Sequence, residues 1–302
     1  MKQFQTISDY HAFMGVPPPQ HPLLSVLDVG TIPPRGEEEP LTILLDFYAI
    51  SVKRMRNVHV KYGQQPFDFN EGILSFMAPN QAFSIAVANP DEAVEKSGWV
   101  ILIHPDFIWN TSLATTIKHY DFWDYSLHEA LFLSAKEEAT IRTIIRAIEQ
   151  EYSSTIDRFS KHIIVSHVES LLNYADRFYH RQFITREKAN HQVLEQVETL
   201  LHEYFNRVDL AERGLPTVRY VAERLHLSPK YLSSLLRVLT GQNTQQHIHA
   251  QLIAKAKEKL STTDLTVSEI AYALGFEHVP SFSKLFKTKT NLSPVAFRAS
   301  FN

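Results

Sequence analysis

The stretch Val267-Ser268-Glu269-Ile270-Ala271-Tyr272-Ala273-Leu274-Gly275-Phe276-Glu277-His278-Val279-Pro280-Ser281-Phe282-Ser283-Lys284-Leu285-Phe286-Lys287 decides the fold of the last third of the chain. Val267, Ile270, Ala271 and Leu274 return at intervals of three and four, which places them on one face of a short helix. Gly275-Phe276 breaks that period. A second helix follows, with Phe282, Leu285 and Phe286 on its inner side and Ser281, Lys284 and Lys287 on its outer side. Pro280 stands near the start of that helix, where a missing N–H costs little. Two short amphipathic helices around a tight turn form a helix-turn-helix pattern.

About fifty residues earlier the arrangement occurs once before, the one internal repeat visible in the chain. Val218, Val221, Ala222 and Leu225 form the first apolar face, His226-Leu227 the turn, and Ser228-Pro229 the cap and start of a helix carrying Leu232, Leu235, Leu236 and Leu239. Ala222 is small enough for two helices to cross closely. The outer side presents Lys230, Ser233, Ser234 and Arg237, all able to hydrogen-bond in a DNA groove. Thr244 to Leu260 reads as one helix between the units, with Ile248, Leu252, Ala256 and Leu260 along a stripe. At 1.5 Å per residue it spans roughly 25 Å. With helix widths added, it can hold two recognition helices near the ~34 Å between successive major-groove openings.

Charge is divided unevenly. The whole 302-residue chain carries a net charge of -3. From Thr217 to Asn302, 11 basic residues against 5 acidic ones leave +6, and the rest, with 19 basic and 28 acidic, carries -9. A basic module that neutralises phosphates is joined to an acidic module with other work.

These residues resemble the AraC/XylS family of bacterial transcription regulators over the stretch from about Thr217 to Phe297. The likeness rests on the paired units, Ala256-Lys257-Glu258-Lys259-Leu260 at the end of the linker, Glu269-Ile270-Ala271 to Gly275-Phe276, Phe282-Ser283-Lys284 with Phe286-Lys287, and Ser293-Pro294 with Arg298. Two positions depart from the pattern: Leu252 stands where the family usually has Arg, and Asn291 where it usually has Gly after the second recognition helix. Asn tolerates the left-handed cap conformation nearly as well as Gly. The resemblance implies that Lys230, Ser233, Ser234 and Arg237 face one groove segment and Val279, Pro280, Ser281 and Lys284 the next, with Lys287 and Lys289 on phosphates. Arg237 and Lys284 are suited to guanine O6 or N7, and Val279 and Pro280 to apolar contact with a thymine methyl.

Ahead of this module, the first forty residues are punctuated by Pro17, Pro18, Pro19, Pro22, Pro33 and Pro34 and read mostly as loop, with one strand over Leu23 to Val29. From Leu41 to about Ile108, short runs rich in Val, Ile, Phe and Tyr alternate with turn signals such as Lys61-Tyr62-Gly63, Asn70-Glu71-Gly72 and Asn89-Pro90-Asp91. They predict an antiparallel barrel or sandwich. The period then becomes helical. Ser134 with Glu137 makes a capping box before Ile141, Ile144, Ile145 and Ile148, and Asp157 caps a second helix with the stripe Ile164, Val168, Leu171, Leu172, Ala175 and Phe178. That stripe suits either a dimer surface or packing on the barrel within one chain.

Ahead of a module of this family, the β-rich segment and helical pair resemble a cupin-like sensing domain, with Tyr62-Gly63, Gly72-Ile73-Leu74 and Pro79-Asn80 near its usual turns. The fold class this implies is α+β: a cupin-like β-barrel with a helical hairpin, then an all-α domain of two helix-turn-helix units on a linker helix. The expected domains are 1–184 for sensing and dimerisation (barrel about 23–130, hairpin about 135–180), 185–216 as linker and leading helix, and 217–302 for DNA. The family resemblance implies double-stranded DNA and RNA polymerase as partners, a small-molecule effector, pairing of two copies through the amino-terminal domain, and activation rather than repression.

No cofactor is expected. Zero cysteines exclude disulfides and thiolate metal sites. Only His59 lies in the early strands, with Phe83 where a later metal ligand of a cupin would stand, so no metal site is expected. The nine glycines are too dispersed for a phosphate-cradling loop, and neither G-x-S-x-G nor H-E-x-x-H occurs. Trp99, Trp109, Phe122, Trp123 and Tyr125 suit a pocket or ordinary barrel filling. No apolar run reaches the ~18 residues of a membrane span, and a cytoplasmic location is expected. Two competing readings are a cupin-type metal-dependent enzyme with an appended DNA-binding domain, and a module whose barrel binds another protein.

Overall fold

The computed structural model describes residues 2–33, 41–56, 61–62, 65–66, 72–85, 95–126, 129–155, 157–185 and 187–301. Contacts divide the chain into two units, Met1–Gln182 and Phe183–Asn302. His59 and the turns at Gly63, Asn70-Glu71 and Asn89-Pro90-Asp91 lie outside the described residues.

In the first unit the order is β1 (Lys2–Phe4), α1 (Ile7–Met14), β2 (Leu24–Asp28), β3 (Leu41–Leu45), β4 (Tyr48–Arg56), β5 (Lys61–Tyr62), β6 (Gln65–Pro66), β7 (Gly72–Met77), β8 (Ala82–Ile85), β9 (Glu95–Ile103), α2 (Pro105–Ile108), α3 (Ser112–Thr116), β10 (Leu131–Leu133), α4 (Ala135–Tyr152) and α5 (Ser160–Thr185). The start of the chain holds more structure than its prolines suggest. The Thr6 hydroxyl accepts from the Asp9 N–H, and Gly15, at φ 68°, ends α1 in the left-handed conformation, so a complete helix forms before Pro17. β1 then pairs in parallel with β3.

β4 lies at the centre of an antiparallel sheet of order β10-β7-β4-β9-β2, and β1, β3 and β8 form a second sheet. Ala49, Ile50, Ser51 and Val52 of β4 are all buried, because helices cover one face of the larger sheet and the smaller sheet faces the other. Phe4, Ile7, Ile43, Leu45, Ala49 and Leu102 share one apolar cluster. The expected barrel is corrected here: among the described residues no sheet closes. The two sheets are joined by side-chain packing and not by a continuous hydrogen-bonded ladder, which is an open sandwich.

Phe122, Trp123 and Tyr125 are buried between the sheet and α5. Phe122 lies 4.2 Å from Phe76 and 5.7 Å from Tyr179, centroid to centroid. They are filling. Trp109, by contrast, is 72% exposed. Ser134 and Glu137 form the capping box of α4, and Glu137 also takes two hydrogen bonds from Arg181 at 2.9 and 2.8 Å, so the cap joins α4 to α5. Gln182 accepts from the Phe132 N–H at 2.9 Å and thereby covers the edge strand β10. Asp157 caps α5 through the N–H groups of Phe159 and Ser160. The stripe Ile164, Val168, Leu171, Leu172, Ala175 and Phe178 is buried within the chain, which removes it as a dimer surface.

The second unit is helical: α6 (Glu187–Phe205), α7 (Leu210–Arg213), α8 (Val218–Arg224), α9 (Pro229–Thr240), α10 (Thr244–Thr262), α11 (Val267–Ala273), α12 (Val279–Thr290) and α13 (Pro294–Ala299). Val197, Leu201, Tyr204 and Phe205 of α6 and Leu210 of α7 are buried in it, and the Tyr204 hydroxyl donates to the Gly214 carbonyl at 3.0 Å.

Candidate nucleic-acid interface

Two helix pairs, α8–α9 and α11–α12, are built from the same local bonds. The Leu227 N–H donates to the Ala222 carbonyl at 2.9 Å, and the Phe276 N–H to the Ala271 carbonyl at 3.0 Å. His226 (φ 57°) and Gly275 (φ 83°) take the left-handed position of each turn. The far ends repeat as well. Gly241 and Asn291 (φ 75° and 62°) close α9 and α12 by N–H bonds to Arg237 and Lys287. Thr240 and Thr290 each turn a hydroxyl back to the carbonyl four residues earlier at 2.8 Å, and each accepts the N–H two residues on. The pairs differ in the turn: Ser228 caps α9 through the Tyr231 N–H, whereas His278, one residue later in the repeat, makes no side-chain cap.

The rod between them is α10, opened by a capping box of Asn243 and Gln246. Its 19 residues span about 28 Å. Ile248, Leu252, Ile253, Ala256 and Leu260 are buried along it. Leu252, where the family pattern has Arg, is 0% exposed and completes the core.

On α9, Tyr231, Leu232, Leu235 and Leu236 are buried, and the opposite side carries Lys230 and Arg237 exposed with Ser234 half-buried. Ser233 sits at the flank. Its hydroxyl lies 3.0 Å from that of Thr244, a fully buried residue, so it helps seat α9 on the start of α10 as well as bordering the outer face. On α12, Phe282 and Phe286 are buried, Pro280, Ser281, Lys284 and Lys287 are exposed, and Val279 is half-buried. Thr288 shares this outer face one turn beyond Lys284, and sequence reasoning passed over it. Lys289 is exposed at the other flank of α12.

Residues 221–300 match the family model of a helix-turn-helix domain. The carboxyl-terminal domain is an AraC-type helix-turn-helix DNA-binding domain. An HTH-type transcriptional regulator of Staphylococcus aureus is 30% identical over 138 residues, covering 45% of this chain and 17% of that protein. The chain thus spans about a sixth of the length of that curated relative. Among solved structures, the C-terminal domain of the response regulator yesN from Fusobacterium nucleatum is 29% identical, covering 35% of this chain and 98% of that one at a TM-score of 0.32. The DNA-binding domain of AdpA, a global transcriptional factor crystallised with a target DNA, is 26% identical, covering 36% and 91% at a TM-score of 0.31.

Several charges of the AraC-type domain are spent internally. Arg219 pairs with Glu223 at 2.9 Å and Lys255 with Glu258 at 2.8 Å. Arg298 donates through Nε to the Leu260 carbonyl at 3.1 Å, satisfying an orphan acceptor in the last turn of α10. Asp209 takes hydrogen bonds from Arg207 and Arg213, which hold its carboxyl well below the usual carboxylate range.

Two histidines of α10 titrate abnormally. His247, 2.9 Å from the Thr240 hydroxyl, and His249, 2.9 Å from the Gln245 amide, have pKa values lowered by burial. Glu198 opposes the shift at His247, and Lys289 reinforces it at His249. Below about pH 6.5 the unfolded chain takes up protons that these folded rings resist, so the domain loses stability as pH falls through that value. Urea midpoints between pH 7.5 and 5.5 should decline in the parent chain and decline less in His247→Gln. Equal slopes in the two proteins would assign the loss to other groups. The depressed carboxylates of Glu258 and Glu269 act in a separate window, at and below their ordinary value of 4.5.

Among the described residues, no helix is long and apolar enough to cross a membrane, and no group of three or more His, Asp or Glu is placed to hold a metal ion.

Proposed function

We propose that this chain is a sequence-specific transcription regulator that lays α9 and α12 in two successive major-groove segments of its operator. The observation that carries the reading is the duplicated helix pair, alike in the backbone hydrogen bond across each turn and in the left-handed cap at each far end, mounted on one rod of about 28 Å. In this reading Lys230, Ser234 and Arg237, flanked by Ser233, meet the first segment. Val279, Pro280, Ser281 and Lys284 meet the second, and Lys287 and Lys289 hold phosphates. The amino-terminal unit, whose open sandwich stands where a cupin-like sensing domain is expected, supplies effector response, dimerisation or both. An effector acts by unequal affinity for two states of the protein, and bound regulator recruits RNA polymerase to activate transcription in the cytoplasm.

The test is a footprint of the full chain on genomic DNA fragments selected by binding. Protection of two successive helical turns supports the reading, and protection of a single turn, or none, removes it. Lys284→Ala should then weaken the selected site by about 1–3 kcal/mol and relax preference at one base pair. An equal loss on random DNA would make Lys284 a phosphate contact. Ser233→Glu is a poor probe of the same face, because it also disturbs the hydroxyl pair with Thr244.

A further inference from the structure

The first unit holds a cavity of about 140 Å³ away from the space between its sheets, bounded by the start of β2, by α2, by the last turn of α4 and by the first turns of α5. Leu23, Leu24, Phe107 and Ile164 give it an apolar lining. A cavity of about 150 Å³ accommodates a molecule the size of benzene, so the occupant has roughly six heavy atoms.

Its polar groups are arranged, and their charges do not cancel. Tyr152 is 7% exposed; its oxygen accepts the Gln20 N–H at 2.7 Å, which orients the phenol and leaves its proton to donate. His21 accepts the Leu23 N–H at Nδ1, 3.0 Å away, so the neutral ring carries its proton on Nε2, and burial lowers its pKa. Neither group adds charge. Asp157 is kept ionised chiefly by the Phe159 N–H, with further help from Ser160, and both N–H groups go to Oδ1. Asp157 and Asp106 both stand exposed at the mouth of the cavity, the Asp106 side chain at 74%. Against these two carboxylates there is one ammonium, Lys161, which donates at 2.9 Å to the Trp109 carbonyl. The amino-terminal dipole of α5 favours an anion, and Asp157 is itself that anion.

We propose that this cavity binds a small organic monocation, a primary amine with a short apolar body, through the Asp157 carboxylate at the head of α5. The apolar body displaces water from Leu23, Leu24, Phe107 and Ile164, and the ammonium supplies the missing positive charge. α5 runs from this site for 26 residues to Thr185, past the end of the first unit at Gln182. An occupied site is thus covalently continuous with the segment that leads into the AraC-type domain.

The test uses the full chain without DNA and three four-carbon probes, n-butylammonium, butyrate and 1-butanol, titrated by calorimetry and by thermal shift. Butylammonium should bind saturably and raise the unfolding temperature, and the other two should not. Asp157→Asn keeps the Oδ1 cap and removes the charge, and should weaken the amine at least tenfold. Leu23→Trp fills the cavity, leaves the cap alone and should abolish binding. Absence of a saturable signal, equal binding of butanol or butyrate, or undiminished binding by both variants would overturn the assignment. Because DNA is absent, failure here leaves the groove-reading proposal standing, and a missing footprint there leaves this site untouched.

Discussion

Phe286→Ala should lower the stability of the AraC-type domain by about 3–5 kcal/mol, the range for deleting a fully buried phenyl ring. Phe286 is 0% exposed and joins Phe282 at 5.8 Å and Phe297 at 5.4 Å, so its ring connects α12 to α13. A domain has only about 5–15 kcal/mol to lose, and the variant sits close to unfolding at growth temperature. Urea unfolding followed by circular dichroism gives the loss directly. DNA affinity falls with it on every sequence alike, unlike the base-specific loss expected of Lys284→Ala. A midpoint equal to that of the parent chain would mean that Phe286 is not a core residue.

The second large effect is at Gly275. This residue is at φ 83°, and a Cβ there would lie 2.9 Å from two backbone atoms of Gly214 and 3.1 Å from the Leu210 carbonyl oxygen. Backbone atoms cannot swing aside as a side-chain tip can. Gly275→Val adds backbone strain to overpacking, for a loss of roughly 2–6 kcal/mol. Gly241 provides the control: its φ is 75°, but nothing lies within 4 Å of its Cβ position. Gly241→Ala should cost only the left-handed conformation, about 1–2 kcal/mol. If the two substitutions cost the same, the close approach of Gly214 carries no energy.

The helix-turn-helix units were legible because every local signal there agrees. Thr217, Ser228, Asn243 and Thr266 all cap, the apolar residues hold a helical period, and left-handed positions fall on Gly, Asn or His. Asn291 takes the cap conformation expected of it. The amino-terminal unit was less legible. Tyr48 to Val52 of β4 are buried on both faces and so show no alternation that could reveal the strand's partners, and sheet closure depends on edge pairing that no local pattern records. β1 has three residues and a parallel partner some forty positions away, too little sequence for a period. In the candidate interface, helical spacing placed Lys230, Arg237, Ser281 and Lys284 on outer faces. It could not foresee that α10 would start beside Ser233, since Thr244 belongs to the next element. The same spacing put Leu252 on the apolar stripe of α10, and it is buried there although the family pattern carries charge at that position.

The wedge of Gly214 against the turn at Gly275 bears on where this chain can be cut. The sequence-family match begins at Val221, yet Leu210, Tyr204 and the α6 residues beneath them are buried with the helix pairs. A clone that starts at the match would present raw apolar surface to solvent and a loosened corner beside the second reading helix. The shortest piece with a claim to fold alone begins ahead of Val197, and laboratories that trim more closely should expect precipitate in place of a binder.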